Sequence, residues 1–201
     1  INQIKYIKGK SRNFTYKDIV LSQERRAIRK NKKNINIDLS GIAKGYSVDL
    51  IASYLKSINI NNFLINIGGE IKVNKDNDEV FKVSIDDPSG NKQTIEDIFL
   101  TNEAVATSGT YQDFVEYKGK EISHIVNPKK LENISDLSLL VTVIHEDCTT
   151  ADALATGLIA MDHDKIINFA NSNNIALMYL RNKDGNLEKK FSKSFIKYLS
   201  E

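Results

Sequence analysis

The sequence has 201 residues, enough for one domain of ordinary size or for a compact pair of subdomains. Apolar residues make up 41% of the chain and charged residues 27%, a balance that is typical of a globular protein and excludes a mainly disordered one. A net charge of +2 gives no reason to expect a nucleic-acid-binding protein, and the single cysteine, Cys148, excludes an internal disulfide bond.

Residues 1–34 combine short apolar stretches with a basic run. The apolar stretches at 4–7 and 19–21 predict strands or a hairpin, with a turn at 32–34. The basic run at 25–33 has no interleaved aromatic residues, so we interpret it as a solvated surface rather than a binding patch.

Residues 35–49, with the sequence INIDLSGIAKGYSVD, predict a strand that leads through a glycine-bracketed loop into a helix. Apolar and polar residues alternate over 35–39, which is the period of a half-buried strand. From Val48 onward the apolar residues recur at helical spacing. A helix start exposes N–H groups and the positive end of a dipole, and Lys44 adds a full positive charge. The stretch therefore indicates either an anion-binding loop or an ordinary strand–loop–helix unit, and it matches neither the P-loop nor G-x-G-x-x-G.

Two further segments carry small residues in or after a strand pattern. Gly68 and Gly69 interrupt the apolar run at 62–73, which indicates either a β-bulge or a close approach of another group to the backbone. Residues 104–106 lead into Thr107-Ser108-Gly109, which we predict to be a small polar loop able to face a ligand.

His124 lies in the second strand of a hairpin predicted over residues 114–126. A single histidine beside isoleucines is either a structural residue or a catalytic base, and the sequence leaves both open. The other elements follow from the same periods: strands at 81–86 and 139–144, a helix at 164–170, a closing hairpin from 175 with its turn at 184–185, and an amphipathic tail at 191–199.

Residues 149–161, with the sequence TTADALATGLIAM, predict a helix on which Asp152 and Thr156 share one face. Two interpretations remain. Asp152 can complete a capping box at the helix start, or the carboxylate and hydroxyl can converge on a hard cation such as Mg²⁺, which takes few protein oxygens.

Several of these strings together resemble the ApbE family of flavin transferases. They are DLSGIAKGY at 38–46, N-x-G-G-E at 66–70, TSG at 107–109, SHIVNP at 123–128 and DALAT at 152–156. The sequence departs from the family at Asn127, where aspartate is usual, and at 129–131, where Lys-Lys-Leu replaces the common threonine-glycine. Asparagine still accepts a hydrogen bond but contributes no charge to a neighbouring histidine.

The resemblance implies an α/β (α+β) fold of two packed subdomains with mainly antiparallel sheets. It also implies a Mg²⁺-dependent transfer of the FMN half of FAD to a threonine of an acceptor flavoprotein, for example a membrane redox-complex subunit, with release of AMP. Hydrolysis of FAD to FMN and AMP, and a non-catalytic flavin carrier, are the alternatives. Nucleic acid is not an expected partner.

The same resemblance assigns roles to individual residues. His124 would be the catalytic base, and Lys44 would stabilise developing charge. The metal would be held by the Gly41 carbonyl, Asp152 and Thr156. FAD would contact a larger set, which comprises Asp38, Lys44, Gly68, Gly69, Glu70, Thr107, Ser108 and Gly109.

Family relatives carry a substantial segment before the point that corresponds to Ile1. We therefore expect residues 1–201 to form a single ApbE-like domain that is incomplete at its N-terminus and binds FAD weakly without that segment. The family resemblance also leads us to expect a periplasmic or membrane-anchored protein. Fluorescence titration of residues 1–201 with FAD and Mg²⁺ tests the binding expectation, and tight binding with normal turnover would contradict it.

Overall fold

The computed structural model describes residues 15–77, 79–87, 93–111, 114–117, 119–137, 139–183 and 186–199. The helices in these residues are α1 (Ala43–Ser57), α2 (Cys148–Ile159) and α3 (His163–Ser172). The strands are β1 (Ile19–Ser22), β2 (Ala27–Lys30), β3 (Phe63–Ile67), β4 (Glu70–Asn74), β5 (Phe81–Asp86), β6 (Thr94–Leu100), β7 (Ala104–Gly109), β8 (Phe114–Tyr117), β9 (Lys120–Ser123), β10 (Val126–Asn127), β11 (Glu132–Asn133), β12 (Leu139–His145), β13 (Ala176–Lys183) and β14 (Asn186–Phe191). The predictions for residues 4–7 and for the turn at 184–185 fall outside the described residues.

A six-stranded antiparallel sheet forms the centre of the fold, in the order β14-β13-β12-β7-β4-β3. Its central strand β12 is apolar on both faces, because both faces are covered. Leu139 and Val141 belong to an apolar cluster with α2 and α3, whereas Leu140 and Ile144 belong to a cluster on the opposite face. This confirms the buried strand predicted at 139–144.

The two faces of the sheet are covered by different kinds of structure. Helices α2 and α3 lie on one face. The β5–β6 hairpin and a C-terminal 3₁₀ helix, Lys193–Tyr198, lie on the other face and close a second apolar cluster that includes the fully buried Phe195. The result is a three-layered, mixed α/β architecture with mostly antiparallel sheets, as the resemblance implied. The division into subdomains stays a prediction.

The stretch at 35–39 does not form a strand, so that prediction is wrong. Only Ile35 of its three alternating apolar residues is buried, while Ile37 is 43% and Leu39 61% exposed. Among the described residues no strand pairs with this segment, and alternation without a paired backbone does not make a strand. The Leu39 carbonyl instead accepts the N–H groups of Ile42 and Ala43, which starts the chain turning into α1.

Strand pairing corrects two predictions. Gly68 and Gly69 do not form a bulge. They form the two-residue turn of the β3–β4 hairpin, with positive φ angles of 61° and 101°. Residues 107–109 are not a loop but the end of β7, because this whole strand pairs with β12. The predicted hairpin at 114–126 is present as β8–β9, but its second strand ends at Ser123.

Some surface features agree with the sequence. β1 and β2 form the expected N-terminal hairpin, and every residue of β2, in the basic run, is exposed. In the part of the chain that the structure describes, no helix is long and apolar enough to cross a membrane.

The β3–β4 turn gives a testable asymmetry between its two glycines. Two positive φ angles in a two-residue hairpin define a type I′ turn, which favours Asn-Gly. Gly68→Asn should therefore leave the free energy of unfolding almost unchanged, whereas Gly69→Ala should lower it by about 1–2 kcal/mol because a side chain is strained at that φ. Urea unfolding of both variants measures the difference, and equal losses would contradict the turn assignment.

Candidate active site

The site is built where the N-terminal turns of α1 and α2 cross. The backbone N–H of Gly45, in the first turn of α1, donates to Asp152 Oδ2 of α2 at 2.9 Å. In return, Asp49 of α1 accepts the N–H of Cys148 at 3.0 Å and of Thr149 at 2.8 Å, at the start of α2. Helix starts leave N–H groups without intrahelical partners, so each helix here supplies a carboxylate that satisfies the other.

The close approach of the two helices depends on glycine. A Cβ atom added to Gly45 would lie 2.4 Å from the Cys148 carbonyl oxygen and 2.8 Å from Asp152 Cβ. A Cβ atom added to Gly41 would lie 2.7 Å from Thr156 Cγ2. The glycines that bracket Lys44 in the sequence therefore let α1 and the preceding turn pack directly against α2.

The helix boundaries change two interpretations drawn from the sequence. Helix α1 begins at Ala43 rather than near Val48, so Lys44 and Gly45 lie in its first turn and not in a preceding loop. Helix α2 begins at Cys148, which places Asp152 in the second turn. The capping-box interpretation of Asp152 is therefore wrong. Asp152 is 3% exposed, and its carboxylate is turned towards α1.

Lys44 is held by an enclosed carboxylate. Its Nζ lies 2.8 Å from Glu70 Oε1 and 2.7 Å from Glu70 Oε2, and it lies 3.5 Å from the Gly68 carbonyl oxygen. Glu70 is only 1% exposed, whereas about half of the Lys44 side chain remains accessible. Burial raises the pKa of Glu70, Lys44 opposes that rise, and the nearby Asp152 adds to it. Glu70 is thus arranged to fix the Lys44 ammonium group at the start of α1.

Two residues of β7 that were expected to contact FAD, Thr107 and Ser108, point to opposite faces of the sheet. Ser108 points towards α2, and its Oγ lies 3.1 Å from Thr156 Oγ1. Thr107 points to the other face, where its Oγ1 lies 2.9 Å from Thr142 Oγ1. The structure therefore brings Ser108 together with Thr156, but it does not bring Thr107 there.

Other predicted site residues lie around this cluster. Asp38 is exposed, and a hydrogen bond from the Ser40 backbone N–H holds the pKa of its carboxyl below the usual value. Gly69 lies in the β3–β4 turn and Gly109 ends β7. Within the described residues, none of the interactions given above for the cluster involves Asp38, Gly69 or Gly109.

His124 follows β9 directly, and its side chain is exposed. The adjacent Ile125 is buried and belongs to the same apolar cluster as Ala151 and Ala155 of α2, so the segment is anchored on the α2 face of the sheet. Asn127 Oδ1 accepts the N–H groups of Lys129 at 2.9 Å and Lys130 at 3.0 Å. Asn127 is therefore engaged in shaping the turn after it.

The donor atoms of the cluster suit a small hard cation. Asp152 uses Oδ2 for the Gly45 N–H, and within the described residues its Oδ1 accepts no hydrogen bond. Thr156 Oγ1 lies on the same helix face, and the turn at Gly41 packs against it. No group of three His, Cys, Asp or Glu side chains gathers anywhere in the described ranges. Such a sparse set fits Mg²⁺, which commonly keeps water and substrate phosphate as its other ligands, better than a metal that needs a full protein cage.

The cysteine is excluded as a nucleophile. Cys148 is fully buried at the start of α2, and burial raises the pKa of its thiol to about 12. A thiol with that pKa stays protonated at neutral pH and is unreactive.

The sequence did not single out Asp49, although it stands inside the 35–49 stretch. A signal was present, because Asp49 follows Gly45 by four residues, just as Asp152 follows Cys148. Such spacing places each pair on one helix face. That the two spacings match contacts between the helices is recognised only once α1 and α2 are known to cross.

Comparison with known proteins agrees with these observations. The model of the ApbE family matches residues 3–179. The FAD:protein FMN transferase of Vibrio cholerae is 34% identical over 184 residues, which cover 90% of this chain and 55% of that protein. The protein of the same name from Haemophilus influenzae is 33% identical, over 88% of this chain and 52% of its own length. The chain thus spans about half the length of these curated relatives.

Solved structures show the same fold. The flavin transferase ApbE from Vibrio cholerae superposes with a TM-score of 0.77 at 33% identity, covering 92% of this chain and 59% of that one. The ApbE protein from Thermotoga maritima superposes with a TM-score of 0.80 at 28% identity, covering 93% and 60%. With the family match over most of its length, the chain belongs to the ApbE family.

Proposed function

We propose that this chain carries the catalytic centre of a Mg²⁺-dependent FAD:protein FMN transferase. The observation that carries the proposal is the convergence of Gly41, Lys44, Asp152 and Thr156 at the α1–α2 crossing. The relatives named FAD:protein FMN transferase support the reaction type. Together they favour phosphoryl-type chemistry on an anionic substrate, in which positioning and charge neutralisation dominate.

In the proposed reaction, the hydroxyl oxygen of an acceptor threonine attacks the phosphorus of the FMN half of FAD. The bond between that phosphorus and the oxygen that bridges to the AMP half breaks. AMP leaves, FMN remains on the acceptor as a phosphoester, and the hydroxyl proton passes to His124. No oxidant or reductant is required.

Lys44 is the residue best placed to bind the pyrophosphate. Its side chain is about half accessible, it lies in the first turn of α1, and the Glu70 carboxylate holds its ammonium group. A cation at a helix start adds to the positive end of the dipole, and both attract phosphate oxygens. The enclosed Glu70 therefore contributes by orienting Lys44, since a carboxylate in contact with phosphate would repel it.

Asp152, Thr156 and the Gly41 carbonyl would hold the Mg²⁺ ion. When bound, the ion would neutralise negative charge on the pyrophosphate. Asp152 presents one oxygen and keeps the other on the Gly45 N–H, so its carboxylate cannot rotate freely. Thr156 is oriented by Ser108 in the same way.

The proposed function is tested by incubating the protein with FAD, Mg²⁺ and a threonine-bearing acceptor protein. Transfer would place flavin fluorescence on the acceptor band of a denaturing gel. Free FMN and AMP without labelled acceptor would indicate a hydrolase instead, and unchanged FAD would indicate a flavin carrier. Either result would contradict the transferase proposal.

Asp152→Asn separates a metal ligand from a structural residue. Asparagine keeps an oxygen that accepts the Gly45 N–H, so the fold should persist, but it loses the negative charge that Mg²⁺ requires. We expect Mg²⁺-dependent FAD binding and FMN transfer to disappear, while the circular dichroism spectrum stays unchanged. Asp147→Asn, at an exposed position before α2, is the control and should keep both. Full retention of Mg²⁺ dependence in Asp152→Asn would refute the metal assignment.

His124→Ala tests the role of the histidine as a base on the acceptor. The variant should bind FAD with unchanged affinity but transfer FMN about 10²–10⁴-fold more slowly, as expected for loss of a general base. His145→Ala, at a partly exposed histidine that ends β12, is the matched control and should keep its transfer rate. A loss of FAD affinity equal to the loss of rate would instead assign His124 to substrate binding.

A further inference from the structure

Asp49 is the carboxylate that caps α2 from outside that helix. Its Oδ1 accepts the Cys148 N–H, and its Oδ2 accepts both the N–H and the hydroxyl of Thr149. The residue at the N-cap position, Asp147, makes no capping hydrogen bond with its own side chain. The first two N–H groups of α2, those of Cys148 and Thr149, are therefore satisfied by a residue of α1.

The charge of Asp49 is also favourable at this position. A carboxylate at a helix start interacts with the positive end of the dipole. Lys72 of β4 lies beside the contact, with Nζ 3.9 Å from Asp49 Oδ1, and donates to the Glu146 carbonyl just before α2. The start of α2 is thus tied both to α1 and to the sheet.

This contact is coupled to the proposed metal ligands by helix geometry. On α2, Asp152 lies four residues, about one turn, after Cys148. On α1, their respective partners Gly45 and Asp49 are also four residues apart. A helix moves as a rigid rod over so short a distance. Any slide or rotation of the α2 start against α1 therefore displaces Asp152 and Thr156 together.

We propose that Asp49 is a positioning residue for the metal site, which it serves by fixing the register of α2 against α1. The inference rests on the proposed function and extends it. Asp49 itself does not bind the cation, because both of its oxygens are taken by the start of α2. It holds Asp152 Oδ1 and Thr156 Oγ1 in the arrangement that the cation requires, and partners of this kind commonly change metal affinity by about 10–100-fold.

The experiment measures FAD binding to residues 1–201 by fluorescence, in EDTA and over a Mg²⁺ titration, for three variants. Asp49→Ala removes both acceptors, and Asp49→Asn keeps one oxygen that accepts a backbone N–H. Glu103→Ala is the matched control, because Glu103 also holds two backbone N–H groups, those of Thr101 and Asn102, in the turn between β6 and β7. Thermal unfolding midpoints of all three variants are recorded alongside.

We expect Asp49→Ala to raise the Mg²⁺ concentration at half-effect by about tenfold or more, with FAD affinity in EDTA unchanged. Asp49→Asn should raise this Mg²⁺ concentration less. Glu103→Ala should leave it unchanged, even if its thermal unfolding midpoint falls as much as that of Asp49→Ala. If Asp49→Ala does not fold, the comparison between Asp49→Asn and Glu103→Ala decides the question. An unchanged Mg²⁺ midpoint in a folded Asp49 variant overturns the inference and leaves the proposed function intact. Absence of any Mg²⁺-dependent FAD binding in the unsubstituted chain overturns both.

Discussion

The crossing of α1 and α2 is the interaction on which the candidate site depends. A buried backbone N–H without a partner costs about 1–3 kcal/mol, and a buried carboxylate without partners costs more. Asp152 is buried, and the first turns of both helices carry N–H groups that lack helical partners. The contacts between the helices avoid both costs. Asp152 accepts the Gly45 N–H, and Asp49 accepts the N–H groups of Cys148 and Thr149.

Charge balance explains why the same crossing is suited to an anionic substrate. Glu70 and Asp152 are two enclosed acids close enough for Asp152 to raise the pKa of Glu70. Lys44 pairs with Glu70, and within the described residues no lysine or arginine pairs with Asp152. A phosphate group approaching these acids would be repelled unless further positive charge entered with it. The proposed Mg²⁺ ion would satisfy Asp152 and the substrate at once.

The six-stranded sheet supplies the geometry of the remaining groups. β4 presents Glu70 and β7 presents Ser108 on the same face, since alternate residues of a strand share a face. The apolar cluster beneath α2 anchors both that helix and the segment that carries His124. The half of the fold that this chain shares with its longer relatives therefore contains the lysine, the candidate metal ligands and the candidate base.

The sequence alone determined the elements whose signal is local. Helical periodicity predicted α1 and α2, continuous apolar character predicted the buried strand β12, and the strings around Lys44 and Asp152 indicated the family. Local patterns gave wrong predictions where pairing with a distant strand decides the secondary structure. The alternation at 35–39 indicated a strand, yet no described strand pairs with it. Pairing of β7 with β12 turned the predicted 107–109 loop into strand and sent Thr107 away from Ser108.

Asp49 shows the same limit within the site. Its partners, Cys148 and Thr149, lie about a hundred residues further along the chain, so no local pattern reports their contact. The sequence places an acid on a helix, four residues after a glycine. Only the tertiary structure decides that this acid meets the start of a second helix, because the meeting depends on how the sheet sets α1 and α2 against each other.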